Sequence, residues 1–324
     1  MRAIVFERYG SPDVLSLREI ERPVPKPGEI LVKIRAAGVN PQDWHCMRGV
    51  PLLARLFVGG LFKPGHPILG SDIAGTVAAI GANVKRFARG DDVFGLSFMH
   101  GAFAEYVVFP ASGVIARKPK WLSFEEAAAA PMAGMMAVMG LCDQSKVQSG
   151  DKILINGASG GIGTFAVQIA KALGANVTSV CSTPNLELVK SLGADRVIDY
   201  TLQDFAQGEE RYDAIFDVVA KRTYADCRRV LAAKGVYVTT KVSVGLLVQS
   251  PWTALMGGPR LRPMLQKPTL ADLEALRELI DAGKLRPVID RRYPLAEVPE
   301  AISYVEQGHA RGKVIIDIER GSEE

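Results

Sequence analysis

The chain has 324 residues, and 39 Lys plus Arg against 35 Asp plus Glu leave a formal charge of +4. At about 100–200 residues per domain this length predicts two domains with sizeable cores. A composition of 48% hydrophobic and 23% charged residues excludes a disordered chain or a coiled coil. The charge excess is small and spread along the sequence, so no basic stripe points to a nucleic-acid partner.

Cys46, Cys142, Cys181 and Cys227 form no CxxC pair and read as reduced cytosolic thiols. The start Met1-Arg2-Ala3-Ile4-Val5-Phe6 meets Glu7 and Arg8 without an apolar secretory core. The longest apolar run, Ala127 to Cys142, falls short of the ~18–20 residues of a bilayer span and carries Pro131, Gly134 and Gly140. It reads as a buried helix. A soluble cytoplasmic protein with no membrane partner is expected.

From Met1 to about Pro119 the chain reads as short strands between turns, such as the alternating Glu29 to Arg35, with Gly70, Gly75, Gly81, Gly90 and Gly95 closely spaced. This texture suits a small curled β domain. Phe124 to Cys142 reads as helical, and Gly150-Asp151 introduces Lys152-Ile153-Leu154-Ile155, a run expected of a buried parallel strand. Then come a glycine loop, a helix from about Thr164 to Leu173, the strand Asn176 to Val180 and a helix from about Asn185 to Leu192. Further strands are expected at Arg196–Ile198, Ala214–Val219 and Gly235–Thr239, with a helix from about Thr223 to Ala232 between the last two. Such β-α alternation predicts an α/β fold with a doubly wound parallel sheet. Between Val242 and Lys267 neither period fits, and the Pro251 to Met264 stretch reads as an irregular loop facing substrate or a partner. A helix at Ala271–Ala282, another at about Val298–Gln307 and the strand Lys313–Ile318 close the chain, the last returning to the β domain.

The strongest chemical signal is Asn156-Gly157-Ala158-Ser159-Gly160-Gly161-Ile162-Gly163, which follows a strand and opens a helix. Ala158, Gly160 and Gly163 take the three positions of the dinucleotide fingerprint: tight turn, close approach of backbone to pyrophosphate, and close packing of helix on strand. Ala158, Ser159, Gly160, Gly161, Ile162 and Gly163 are therefore the expected phosphate cradle, helped by the helix N-terminus. An NAD-specific site places a carboxylate about 20 residues beyond this loop, on the ribose hydroxyl. Here Val180-Cys181-Ser182-Thr183 stands in that stretch, so NADPH is the expected cofactor, with Ser182, Thr183 and Asn185 able to donate to a 2′-phosphate. Capping of the helix at Asn185 is compatible with the same residues.

The segments Ala36 to Asp43, His66 to Gly75, Ala158 to Gly163, and Gly193-Ala194-Asp195 through Ile198-Asp199-Tyr200 resemble the medium-chain dehydrogenase/reductase superfamily. The resemblance runs to Lys313 and is closest to the zinc-free quinone oxidoreductase and enone (2-alkenal) reductase branch. It implies a GroES-like β domain over 1–122, completed by 266–324, and a Rossmann dinucleotide-binding domain over 123–265, with the active site in the cleft between them. Zinc-dependent members carry a catalytic Cys where Asn40 stands and a His-Glu pair where Ser71-Asp72 stand, and Gly90 to Pro110 holds no structural cysteines. His45, Cys46, His66 and His100 lack regular ligand spacing, so no metal is expected.

Without a Lewis acid, reduction of a quinone or enone is the expected chemistry, and its developing oxyanion needs a hydrogen-bond donor. The resemblance makes Asn40 the first choice, with a bridge to the backbone of its pre-proline turn as the competing role. Asp43 is expected to orient that loop, while Trp44 and Met47 suit either an apolar pocket or simple packing. The resemblance further assigns Ser182 and Tyr200 to the 2′-phosphate end and Lys313 to the cofactor. Leu186, where many quinone reductases have a phosphate-binding Lys, and Met136, where a Thr often contacts cofactor, depart from that pattern, and Lys190 is a possible substitute. The expected partner is a small quinone or enone. A homodimer through an edge strand near Val236–Val242 is compatible with the sequence. A cofactor-binding protein without turnover, and a zinc alcohol dehydrogenase with atypical ligands, stand as alternatives.

Overall fold

The computed structural model describes residues 1–52, 54–57, 59–98, 101–255 and 257–319. His100 lies outside them. The chain divides into two compact units: Met1–Met132 with Thr269–Arg277 and Pro287–Glu324, and Ala133–Pro268 with Glu278–Arg286.

Unit 1 is built from strands β1 (Arg2–Val5), β2 (Ser16–Glu19), β3 (Glu29–Val39), β4 (Asp72–Ile80), β5 (Asp92–Leu96), β6 (Tyr106–Pro110) and β7 (Ile115–Arg117). Unit 2 contributes β8 (Lys152–Asn156), β9 (Asn176–Cys181), β10 (Arg196–Asp199), β11 (Tyr212–Asp217), β12 (Leu231–Thr239) and β13 (Arg260–Pro263). The chain then supplies β14 (Ile289–Pro294) and β15 (Lys313–Asp317) to unit 1. The large sheet of unit 1 runs β14-β15-β3-β4-β5-β7, with β6 also on β3. The C-terminal β15 pairs antiparallel with β3, as expected of the returning tail. Ile30, Val32, Ile34, Val77, Phe103 and Phe109 fill the core beneath this sheet.

Unit 2 is the doubly wound sheet β10-β9-β8-β11-β12-β13, parallel throughout. Ile153, Leu154 and Ile155 on central β8 are all fully buried, which is why that strand reads as an unbroken apolar run. The order reverses between β8 and β11, and the carboxyl ends there are the usual ligand crevice of such sheets.

Four expectations are corrected. The stretch Val242–Lys267 is not irregular: it forms the helix Val244–Leu255 and strand β13. No side chain of that helix is buried and Pro251 lies inside it, so neither helical periodicity nor proline spacing marks it. Because β13 pairs with β12, the Val236–Val242 region is interior to the sheet rather than a free edge. The helix expected over Thr223–Ala232 stops at Arg228, and β12 starts at Leu231. The single helix expected over Phe124–Cys142 is three segments, Phe124–Ala129, Pro131–Val138 and the π-helical Met139–Ser145, divided first at Pro131, whose missing N–H suits a new helix start. All four cysteines are free, and among the described residues no helix is long and apolar enough to cross a membrane.

Candidate active site

In unit 2, β8 ends at Asn156 and the chain turns through Gly157 at φ +87°, a left-handed conformation that glycine adopts without strain. The tight-turn role assigned to Ala158 therefore falls on Gly157. The helix Gly161–Ala172 follows, with Gly160 as a cap lacking any side-chain hydrogen bond. Thr164 is the first to donate back into the turn, to Gly160 O at 3.0 Å. The N–H groups of Gly161, Ile162 and Gly163 stay outside the helical ladder and are available to an anion.

The two fingerprint glycines act differently. A Cβ on Gly163 would lie 2.1 Å from Gly157 O, so Gly163 is required for the turn to pack on its own helix. On Gly160 it would meet only Gly157 O, at 3.5 Å. That open face fits a diphosphate: nothing in the protein forbids a side chain there.

Asn185 is buried and donates from Nδ2 to both Ser159 Oγ and Ser182 Oγ, each at 3.1 Å. It is a strut between the glycine turn and the end of β9. Each serine, accepting from Asn185, keeps its own O–H to donate. Asn185 Oδ1 is buried without a partner. Tyr200 is 58% exposed beyond β10. Leu186 and Lys190 lie on the following helix, where Lys190 pairs with Glu187 at 2.9 Å.

Sequence reasoning missed two carboxylates here. Asp199 pairs in register with Cys181, accepts from Thr183 Oγ1 at 2.5 Å and is also bonded by Thr201, and these hydroxyls hold its carboxyl below the usual range. Asp217, fully buried at the end of β11, accepts from Asn156 Nδ2, Val219 N, Ala220 N and Tyr237 Oη. It ties together the carboxyl ends of β8, β11 and β12. Beside it a cavity of about 300 Å³ is lined by Ala220, Tyr237, Thr239 and Lys241 among others.

In unit 1, Asn40 caps the helix Pro41–Arg48, and strand register decides its neighbours. Asp72 of β4 pairs with Gly38 of β3, and Val314 of β15 pairs with Val39 on the other side. Lys313, one residue earlier, arrives at the same place. Its Nζ donates to Asn40 Oδ1 at 2.6 Å and to Asp72 Oδ2 at 3.0 Å, and Asn40 Nδ2 donates to Asp72 Oδ2 at 3.0 Å. Asp72 Oδ1 accepts from Met132 N at 2.9 Å, at the first turn of the helix Pro131–Val138. Asn40 is 5% exposed, Lys313 3% and Asp72 not at all.

Asp43 bonds the backbone on both sides of this loop. Its carboxylate accepts from Asn40 N at 2.8 Å, the returning half of a capping box, and from Gly70 N at 3.2 Å. Complete burial, reinforced by the Asp72 charge, pushes its carboxyl up to about 7 against the pull of its backbone donors and Lys313. The Asn40 carboxamide bonds the side chains of Asp72 and Lys313. Trp44 packs partly buried against the unit 1 core and stacks on His45, with ring centroids 3.5 Å apart. Met47, expected either at a pocket wall or in simple packing, is fully buried in that core. Lys313, assigned to the cofactor, directs its Nζ hydrogen bonds to Asn40 and Asp72.

Residues 26–120 match the family described as alcohol dehydrogenase GroES-like domain, and residues 192–316 that described as zinc-binding dehydrogenase. Over 333 residues, 98% of each chain, the sequence is 35% identical to a chloroplastic quinone-oxidoreductase homolog of Spinacia oleracea. The chain belongs to the medium-chain dehydrogenase/reductase superfamily. Within it, it belongs to the quinone/enone oxidoreductase branch. It is 34% identical to the 2-methylene-furan-3-one reductase of Solanum lycopersicum, covering 98% of this chain and 79% of that one. The crystal structure of Escherichia coli quinone oxidoreductase complexed with NADPH superposes with a TM-score of 0.83 at 26% identity, covering 98% of this chain and all of that one.

The residues do not fit the zinc of the second family's description. At the ligand positions stand an amide (Asn40), a hydroxyl without a partner (Ser71) and a carboxylate already bonded to an ammonium (Asp72). Among the described residues no three His, Cys, Asp or Glu side chains converge on a metal position.

Proposed function

We propose that this protein is an NADPH-dependent reductase that delivers hydride to a quinone or to the β-carbon of an α,β-unsaturated carbonyl. The observation that carries the reading is the glycine turn, open above Gly160 and backed by three free helical N–H groups, within a strand–turn–helix of a parallel sheet. NADPH, when bound, supplies the hydride. Gly161, Ile162 and Gly163 would hold its diphosphate through backbone N–H groups, and the hydroxyls of Ser159 and Ser182, left free to donate by Asn185, would serve its phosphate ends. The lack of a carboxylate at the end of β9 and the exposed Tyr200 ring favour NADPH over NADH; Asp199, held by Thr183 and Thr201, is the opposing charge.

Addition of hydride to an enone moves an electron pair onto the carbonyl oxygen, and a proton from water completes the product at the α-carbon. Asn40 offers that oxygen an Nδ2 hydrogen, since one of the two goes to Asp72 and the other has no acceptor among the described residues. With cofactor deuterated at its transferable position, an enone product carrying deuterium at the β-carbon supports this assignment. Consumption of cofactor with no deuterium in the product refutes it.

A further inference from the structure

Lys313 is a buried cation whose two hydrogen bonds both serve one small polar cluster. We propose that Lys313 is a positioning residue that clamps the Asn40 carboxamide so that its spare Nδ2 hydrogen faces the reacting oxygen. This rests on the function proposed above.

An ammonium can only donate and a carboxylate can only accept. Lys313 Nζ therefore selects Asn40 Oδ1, and Asp72 Oδ2 selects Nδ2, at 2.6 and 3.0 Å. Turning the amide over would set Nδ2 against the ammonium and Oδ1 against the carboxylate, losing two bonds for two repulsions inside the protein. Asp72 alone would hold one corner of the amide and leave it free to pivot about that bond. The second bond, from the opposite side, converts a hinge into a clamp. The clamp's own supports are rigid: Asp72 is anchored through Oδ1 by Met132 N, and Lys313 is set by the pairing of Val314 with Val39. Lys313 also balances the charge of Asp72, so a merely structural role is the competing explanation.

Lys313→Met alone strands a buried carboxylate, so the test uses the neutral pair Asp72→Asn/Lys313→Met beside it, together with Asn40→Ala and the triple variant. The clamp predicts that the neutral pair folds, keeps its NADPH affinity by fluorescence titration within about twofold, and loses roughly 10- to 100-fold in kcat, somewhat less than the ~10²–10³ typical of deleting an oxyanion donor. In the Asn40→Ala background the same two changes cost nothing further. Wild-type kcat in the neutral pair, or an equal loss with and without Asn40, overturns the proposal in favour of charge balance alone.

A readout independent of turnover comes from isotope-labelled asparagine side chains observed by NMR. In the wild type the Asn40 amide proton signals are protected from exchange with solvent by burial and hydrogen bonding; in the neutral pair they exchange at least about 10-fold faster. Unchanged signals overturn the clamp. Absence of turnover in the wild type with every quinone and enone overturns the functional reading, and the clamp is then decided by these signals.

Discussion

Gly160 and Gly163 stand three residues apart in one turn, and the structure separates what a side chain does at each. A Cβ on Gly163 falls 2.1 Å from Gly157 O and 2.7 Å from Ala158 Cα, both backbone atoms that move only with the turn. Overpacking of this kind costs about 1–3 kcal/mol, occasionally more. At roughly 2–4 °C per kcal/mol, Gly163→Ala should lower the melting temperature by about 2–12 °C. Gly160→Val meets only Gly157 O at 3.5 Å and should melt within about 1–2 °C of wild type. Its isopropyl group instead occupies the face left open to the diphosphate. Losing one or two charge-assisted hydrogen bonds of about 1.5–3 kcal/mol each weakens NADPH binding at least ~10-fold. Calorimetric melting and fluorescence titration of NADPH on the two variants check this. The reasoning is refuted if Gly160→Val melts as low as Gly163→Ala, or binds NADPH as well as wild type.

Asp43 predicts an unusual pH dependence. Its carboxyl is raised from 3.8 to about 7 by burial, so the folded state binds the proton more tightly than the unfolded chain. Its contribution is then greatest below about pH 4 and is lost as pH rises to about 7, with a total on the order of 4 kcal/mol. Denaturation across that range should show this loss in the wild type and not in Asp43→Asn. Tyr237→Phe removes one of four hydrogen bonds to the buried Asp217 carboxylate and should cost about 1–3 kcal/mol in urea unfolding; an unchanged midpoint would show that the hydroxyl adds nothing. Ser182→Asp places a carboxylate where NAD-specific proteins have one and should shift the ratio of NADPH to NADH affinity by roughly 10-fold or more toward NADH. An unchanged ratio would move the phosphate end away from β9.

The Rossmann unit was readable because its central strands are buried on both faces: β8 and β11 show as apolar runs and the glycine turn sits at the required place between strand and helix. Helix Val244–Leu255 was not, since it turns Val244, Val248, Trp252 and Leu255 to solvent and so lacks the polar face that marks an ordinary surface helix. At the site, Asn40 stood out because it occupies a ligand position of a resembling family. The partners of Asn40 did not: Lys313 lies 273 residues away and arrives only through the register of β15 on β3. Met47 left pocket and core packing open, because a methionine on a short helix looks the same in a core as in a pocket wall; it packs in the core. Asp199 and Asp217 were hidden at strand ends, where a carboxylate is legible only once the neighbouring strand is in place.

The central claim is hydride transfer without metal, by a site in which an amide, a hydroxyl and a carboxylate bonded to an ammonium stand where zinc ligands stand in other members of the superfamily. Its most direct test is NADPH oxidation by the purified protein with a panel of quinones and enones, after exhaustive chelation and with the metal content measured. The structure predicts turnover that is unchanged by chelation and not increased by added zinc. Activity that disappears with the chelator and returns with zinc would contradict it.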